Sequence, residues 1–291
     1  MKSLQNILVI AEDIGPNQAV LDKALRFALN AKASITIIAN KENKELSQYL
    51  ELIYQQHSAN SSLKGSEMPA KLSFDINIKY YSAPFSHKEI LTEIASHNYD
   101  LLIRDIHAAK LKWGFTWSDN RYLLREANTN LLLVGNKQWP ESGHILTALE
   151  TEEVTGKHQK INQFMLNESR YLAQLLDSDV HLINCYQEQP NISLATNSMT
   201  ESVEEPSDIH RQHLQDSALA FGIRPEHIHV EPGLPEYVIP HEAEKYKIDI
   251  VVLCSGEHQG LLGIIKGHTS YYMVDTLSCD ALILKASICT D

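Results

Sequence analysis

The 291-residue sequence predicts an α/β protein with two tandem, doubly wound domains, each built on a five-stranded parallel sheet. Two observations carry this prediction. Short continuous apolar runs, typical of strands buried on both faces, alternate with stretches of helical periodicity. The pattern then occurs a second time. Tyr99–Ile103 corresponds to Ile248–Val252 at an offset of 149 residues, and Asn130–Val134 corresponds to Asp280–Leu284 at an offset of 150.

Each repeat opens with a strand, continues into an amphipathic helix, and ends with two strongly apolar strands. In the first helix Leu21, Ala24, Leu25 and Ala28 recur at intervals of three and four residues, which favours a helix with one buried face. The first repeat is predicted to contain strand Ile7–Ala11, helix Ala19–Ala31, and strands Ser34–Ile38, Phe74–Tyr81, Tyr99–Ile103 and Asn130–Val134. The second is predicted to contain strand Ile145–Leu149, helix Ile161–Leu176, strand Asp179–Ile183, helix Ile209–Phe221, strands His227–Glu231 and Ile248–Val252, helix Tyr271–Leu277 and strand Asp280–Leu284.

The boundary between the repeats is predicted in the segment 135–143, where Gly135, Trp139-Pro140 and Gly143 interrupt the pattern. The predicted domains are therefore residues 1–137 and 143–288. Tandem fusion of this kind favours pairing of the two domains as an internal pseudo-dimer, within either a monomer or a homodimer of chains.

Composition and charge exclude several functional classes. No apolar run approaches the ~18 residues of a membrane span, and the apolar stretch near the N-terminus is too short for a secretory signal. Residues 1–143 carry 16 basic and 15 acidic side chains, whereas residues 144–291 carry 9 and 22. Because so acidic a half repels phosphate backbones and anionic bilayers, no direct nucleic-acid or membrane partner is expected. The four cysteines form no CxxC pair and fit a reducing cytoplasm.

A ligand site is predicted at the carboxyl ends of the second domain's strands, where doubly wound folds bind their ligands. Glu150 ends the first strand there, Asn184 and Cys185 end the second, and Cys254 ends the fourth. Gly256, Gly260 and Gly267 follow in a loop that lets backbone approach an anion closely, and His268 and Thr269 open the next helix, whose free N–H groups suit a phosphate. An alternative is that Gly267 only shapes a turn and Thr269 caps the helix.

The first domain is expected to lack such a phosphate loop. At the offset of 150, Trp117 takes the place of Gly267, so a large side chain fills the space that backbone and phosphate would share. The preceding segment 104–114 has a single glycine. This domain is therefore interpreted as degenerate for nucleotide binding.

Taken in order, these features resemble the universal stress protein family, in its tandem-domain form. The resemblance rests on four features, which are the strand–acid opening of each repeat, Gly233-Leu234-Pro235-Glu236, Phe115-Thr116-Trp117-Ser118-Asp119, and the glycine loop leading to Leu277–Lys285. It implies a Rossmann-like fold and a cytoplasmic stress-response protein without strong catalysis, in a family of which many members bind ATP.

The resemblance also makes departures from the family's ATP-binding pattern visible. That pattern has glycine, two residues, glycine, nine residues, and glycine before a small polar residue. Anchored on Gly267, its first two glycines fall on Cys254 and Glu257, and His268 takes the small polar position. Glu150 stands where members carry the acid for the ribose or metal.

The expected ligand is an adenine nucleotide such as ATP, or another small anionic metabolite, in the second domain. A divalent cation held near Glu150, together with Glu152, Glu153, His258 and His268, is a further candidate. Two alternative functions stay open, a weak metal-assisted ATP hydrolase and a ligand-free interaction scaffold. No catalytic residue is assigned.

Overall fold

The computed structural model of the protein describes residues 4–11, 19–40, 48–49, 52, 75–81, 86–106, 119–151, 156–187, 206–255 and 273–285. Contacts divide the chain into two compact units. The first comprises Met1–Pro140 with Asp280–Ile283, and the second comprises Glu141–Cys279 with Leu284–Asp291. The last strand, Asp280–Lys285, is thus divided between the units, which places four residues of the second repeat in the first unit.

The first unit is a parallel sheet with helices between its strands. Its strands lie in the order β3-β2-β1-β4-β5 and all of them are parallel. Ala281–Ile283 then run antiparallel to Leu131–Leu133 of β5. The elements are β1 (Asn6–Ala11), α1 (Ala19–Ala31), β2 (Ser34–Asn40), β3 (Ile76–Tyr81), α2 (His87–Ser96), β4 (Leu101–Asp105), α3 (Asp119–Glu126) and β5 (Asn130–Val134).

The second unit repeats this arrangement. Its strands lie in the order β9-β6-β7-β8, again all parallel, which matches β4-β1-β2-β3 of the first unit strand for strand. The elements are β6 (His144–Ala148), α4 (Gly156–Leu176), β7 (Asp179–Tyr186), α5 (Pro206–Phe221), a 3₁₀ turn (Pro225–His227), β8 (Ile228–Pro232), α6 (Pro235–Lys245), β9 (Ile250–Ser255) and the shared strand β10 (Asp280–Lys285).

The predicted α/β, doubly wound class is confirmed, and the antiparallel pairing at β5 is the feature that the sequence pattern did not predict. The bounds of α1 and β5 coincide with the prediction. The predicted helix at Tyr271 begins outside the described residues, and residues 273–276 of it are helical. The domain bounds 1–137 and 143–288 stay a prediction. The contact-based units divide the chain between Pro140 and Glu141 instead.

Strands β4 and β9 begin two residues later than predicted, for the same physical reason in both units. The carboxylate of Asp100 accepts hydrogen bonds of 2.8 Å from the backbone N–H groups of Gln5 and Asn6, so Asp100 bridges two strand starts instead of continuing a strand. Asp249 accepts in the same way from the backbone N–H of His144 at 3.0 Å. Each aspartate directly precedes its strand, β4 or β9. This shared hydrogen-bonding arrangement supports duplication of one ancestral unit.

A buried ion pair anchors the start of β10 within the first unit. The ammonium of Lys23, on α1, donates to the Asp280 carboxylate at 2.7 and 3.0 Å and to the Gly135 carbonyl at 3.1 Å. Asp280 also accepts from the Gly135 N–H at 2.9 Å and from the Trp139 indole at 2.8 Å. Both charged side chains are about 2% exposed. Every strong acceptor position of the carboxylate is therefore occupied, which is the condition for tolerating a charge in a core.

Candidate functional site

The candidate site lies where strands β6, β7 and β9 end in the second unit. Glu150 follows β6 by two residues, Cys185 is the last residue but one of β7, and Cys254 is the last but one of β9. The three strands are neighbours and parallel, so their carboxyl ends meet at one edge of the sheet. The other predicted site residues, Gly256, Gly260, Gly267, His268 and Thr269, lie outside the described residues.

The turn that carries Glu150 is held in place by α4. The side-chain amide of Asn162 donates to the Glu150 carbonyl at 2.6 Å, and its oxygen accepts from the Glu150 N–H at 3.3 Å. This double contact pairs both backbone groups of a residue that has left the strand ladder. Glu150 is 6% exposed. Its carboxylate is thus carried on a fixed backbone at the strand end.

Helix α5 covers the next residue, Thr151. The Thr151 hydroxyl lies 2.6 Å from Nδ1 of His210, and its carbonyl lies 3.4 Å from Nδ1 of His213. The His210 ring in turn stacks on Tyr186, at the end of β7, with 5.3 Å between ring centroids. Two strand ends and one helix therefore close this side of the site with polar and aromatic groups.

Asn184 is a second polar group of the site, which the sequence placed at this strand end without assigning it to the ligand. It is fully buried on β7, and its Nδ2 donates to the carbonyl of Leu149 at 2.9 Å. Its Oδ1 is buried and has no hydrogen-bond partner among the described residues. A buried acceptor left without a donor costs about 1–3 kcal/mol, so this atom is suited to receive a donor from a ligand or a water. The signal in the sequence was an asparagine inside the apolar run Leu182–Cys185.

Burial, together with nearby negative charges, keeps the Cys185 thiol protonated. Burial, first, and then nearby negative charges raise the pKa of Cys185 to about 12. At neutral pH this side chain is therefore a small buried thiol, and it has no nucleophilic character. The charges that act on it belong to Glu231, Glu242, Glu150 and Glu236.

A buried lysine, which the sequence prediction missed, supplies positive charge near Cys254. Lys285 is the last residue of β10, in the second unit, and is 5% exposed. Burial lowers the pKa of Lys285 to about 8, an effect that the Cys254 thiolate would oppose. Near pH 7 the ammonium form still predominates. The sequence signal was a lysine directly after the apolar run Ala281–Leu284.

The described part of the site offers no group of three or more metal-binding side chains. Glu150 lies in this part, whereas Glu152, Glu153, His258 and His268, with which the prediction grouped it, fall outside it. The helices within the described ranges also lack the combination of length and apolar character that crossing a bilayer requires.

The fold and the position of this site define a doubly wound, Rossmann-like α/β protein with its candidate site at the strand ends of one repeat. Residues 162–285 match the model of the universal stress protein family. The chain is 30% identical over 222 residues to universal stress protein E of Escherichia coli K12, a match that covers 74% of this chain and 69% of that relative. The chain belongs to the universal stress protein family and resembles universal stress protein E.

Two further similarities extend over the whole length. A universal stress protein E homolog of Haemophilus influenzae is 27% identical over 307 aligned positions, which cover 97% of this chain and 98% of the relative. A crystal structure of a putative universal stress protein from Pseudomonas aeruginosa UCBPP-PA14 superposes with a TM-score of 0.72 at 19% identity, covering 100% and 99% of the two chains. Both matches span nearly the whole of each chain, and the structural similarity establishes the fold alone.

Proposed function

We propose that the protein is a cytoplasmic stress-response protein without strong catalysis, whose second unit binds an adenine nucleotide, or another small anionic ligand, at the carboxyl ends of β6, β7 and β9. The observation that carries the proposal is the combination at this edge of Glu150, a buried acid whose backbone is fixed by Asn162, with a buried amide acceptor, Asn184. The family resemblance supports it, because many members of the family bind ATP.

The polar groups at the edge suit the sugar and base more clearly than the phosphates. The Glu150 carboxylate is a group that can accept hydrogen bonds from ribose hydroxyls, and Asn184 Oδ1 would accept one from a donor such as an exocyclic amine. A phosphate, in contrast, would meet the negative charges around Cys185. The Lys285 ammonium offsets part of that repulsion, and a divalent cation that enters with the nucleotide would offset more.

Titration calorimetry of the full chain with ATP, with and without Mg²⁺, tests the proposal, and phosphate release is measured on the same samples. We expect saturable binding that Mg²⁺ strengthens, and no phosphate release above the buffer rate. Glu150→Gln should weaken binding roughly tenfold or more, because a hydrogen bond to a charged group contributes about 1.5–3 kcal/mol. Glu244→Gln is the matched control, since Glu244 is an exposed acid on α6 and its loss should leave the affinity unchanged.

Each alternative has its own outcome in this experiment. Phosphate release that Glu150→Ala abolishes would replace the proposal with a weak ATP hydrolase. The absence of heat with ATP, both with and without Mg²⁺, would replace it with a ligand-free scaffold. Equal weakening by Glu150→Gln and Glu244→Gln would place the binding elsewhere in the protein.

A further inference from the structure

Four histidines gather at the amino ends of β6, β7 and β8, opposite the candidate ligand site. His144 is the first residue of β6, His181 and His229 lie near the starts of β7 and β8, and His227 ends the 3₁₀ turn before β8. The strand register pairs Leu146 with His181 and Ile183 with His229, so these side chains project from the same face of the sheet. His181, His227 and His229 are each buried.

Three of the rings form a continuous hydrogen-bonded chain. Nδ1 of His144 lies 3.2 Å from Nε2 of His181, and Nδ1 of His181 lies 3.0 Å from Nε2 of His229. Each contact needs one N–H group and one lone pair. Three neutral rings satisfy both contacts when their protons all point one way along the chain.

The three hydrogen-bonded rings can bind only a limited number of additional protons. One additional proton is accommodated, because the nitrogens at the two outer ends of the chain can both carry hydrogen. A second additional proton has no free position, so two N–H groups must face each other across a 3.0 or 3.2 Å contact. The folded chain of three rings therefore accepts one proton, whereas three separate rings accept three.

The fourth ring, His227, is fixed in its neutral form by its own partners. Its Nδ1 lies 3.3 Å from the carbonyl of Val180, which can only accept, and its Nε2 lies 3.0 Å from a guanidinium nitrogen of Arg224, which can only donate. A proton added to Nε2 would displace Arg224. His227 also stacks on His181 with 3.8 Å between ring centroids, so two charged rings there would repel each other strongly.

The groups around the cluster oppose its protonation on balance. Burial, first, and then the neighbouring histidines and Arg224 lower the pKa of His181 to about 3, and burial lowers the pKa of His229 to about 4. Burial and Arg224 lower the pKa of His227. The acids Glu242, Asp179 and Glu226 act in the opposite direction, and Tyr246 stacks on His229 at 4.0 Å.

Charged groups face the cluster from every element packed against it. They are Lys245 and Glu242 on α6, Arg211 on α5, Arg224 and Glu226 at the 3₁₀ turn, Asp179 at the start of β7 and Asp249 before β9.

We propose that this histidine cluster is an acid-responsive device of the second unit, in which uptake of more than one proton breaks the contacts that join β6, β7 and β8 at their amino ends. The device is independent of the nucleotide site, which lies at the opposite edge of the same strands. Acidification therefore loosens the edge strand β8 first, because two of the four rings belong to β8 and the turn before it.

The direction of the pH dependence follows from linkage. The unfolded histidines have a pKa of about 6.5, above the folded values, so the unfolded unit binds more protons below that pH. The contribution of these neutral histidines to the stability of the second unit is fully present above pH 6.5. It is lost as the pH falls from there towards the folded pKa values near 4 and 3. When the pH is lowered from 7.5 to 5.0, the equilibrium constant for local unfolding should rise roughly thirtyfold for each histidine that stays neutral only in the folded unit.

Hydrogen exchange of the full chain without nucleotide, measured at pH 7.5 and 5.0 and corrected for intrinsic rates, tests this proposal. In the wild-type protein three of the four rings stay neutral only in the folded cluster, so the protection of β7 and β8 amides should fall by roughly 10⁴-fold between the two pH values, relative to β1 amides of the first unit. His181→Phe retains a ring in the stack and cannot bind a proton, so the fall should shrink by at least thirtyfold. His241→Gln, at a side chain that is 76% exposed, should leave the fall unchanged.

An equal loss of protection in β1 and β8, or an unaltered fall in His181→Phe, would overturn the proposal. If His181→Phe does not fold, NMR titration of the imidazole resonances of the wild-type protein decides the matter. At most one proton per folded cluster should be taken up down to pH 5. Titration of all four rings near pH 6.5 with β8 still protected would overturn it.

Discussion

Asp280→Ala is expected to lower the free energy of unfolding by about 3–5 kcal/mol, the usual cost of removing one partner from a buried ion pair. The substitution removes the counter-charge of the Lys23 ammonium, which is about 2% exposed and keeps its hydrogen bond to the Gly135 carbonyl. It also removes the acceptor for the Gly135 N–H and for the Trp139 indole. Urea unfolding followed by tryptophan fluorescence measures the effect, because all three tryptophans, Trp113, Trp117 and Trp139, lie in the first unit.

A compensating double substitution and a control at an exposed ion pair test this explanation. The double substitution Lys23→Met with Asp280→Asn removes both charges and keeps an acceptor oxygen for one of the two donors, the Gly135 N–H or the Trp139 indole, so it should recover part of the lost stability. Glu126→Ala breaks the exposed pair with Arg125, at 54% and 42% exposure, and should change stability by less than about 1 kcal/mol. If Asp280→Ala and Glu126→Ala had the same small effect, the carboxylate would not be buried against Lys23.

Leu282→Ala is expected to lower the free energy of unfolding by about 3 kcal/mol, within the range for a buried leucine that leaves a cavity. Leu282 is fully buried in β10 and pairs directly with Leu132 of β5, which is also fully buried. Because this part of β10 belongs to the first unit, the loss should be visible in the tryptophan signal of that unit.

Leu219→Ala is the control for that substitution, since Leu219 lies on α5 at 84% exposure and has little apolar contact to lose. Its effect should be within about 0.5 kcal/mol. A Leu282→Ala protein with the wild-type tryptophan transition would contradict the antiparallel pairing of β10 with β5.

The sequence predicted those elements whose pattern is local. Helix α1 was predicted at Ala19–Ala31 because its apolar face repeats every three to four residues, and β5 because its run of five residues is buried on both sides. The starts of β4 and β9 were misplaced by two residues, since Asp100 and Asp249 use their carboxylates to bridge strand starts. A pattern of apolar residues carries no signal for such a bridge.

The features that depend on register or on distant partners could not be predicted. The pairing of Ala281–Ile283 with β5 joins segments about 150 residues apart, and one apolar run does not specify the direction in which another pairs with it. The histidine cluster required the register of β6, β7 and β8, which brings His144, His181 and His229 to one face. In the sequence they are isolated histidines among fourteen.

At the candidate site, the sequence located the strand ends and missed their partners. It named Glu150, Cys185 and Cys254 because each follows or ends an apolar run. It placed Asn184 at a strand end without assigning it to the ligand, and it missed Lys285, because their importance lies in burial, which a single sequence shows only indirectly. The glycine loop, with Gly256, Gly260 and Gly267, stays a prediction.

Hydrogen exchange of the full chain at pH 7.5, with and without saturating Mg²⁺-ATP, tests most directly whether the nucleotide binds at the second unit. We expect slower exchange at the carboxyl ends of β6, β7 and β9, in residues 148–151, 184–187 and 253–255. We also expect no change at the corresponding ends of β1, β2 and β4, near Ala11, Asn40 and Asp105. Slower exchange at the first unit's strand ends, or at neither set, would contradict nucleotide binding at the second unit.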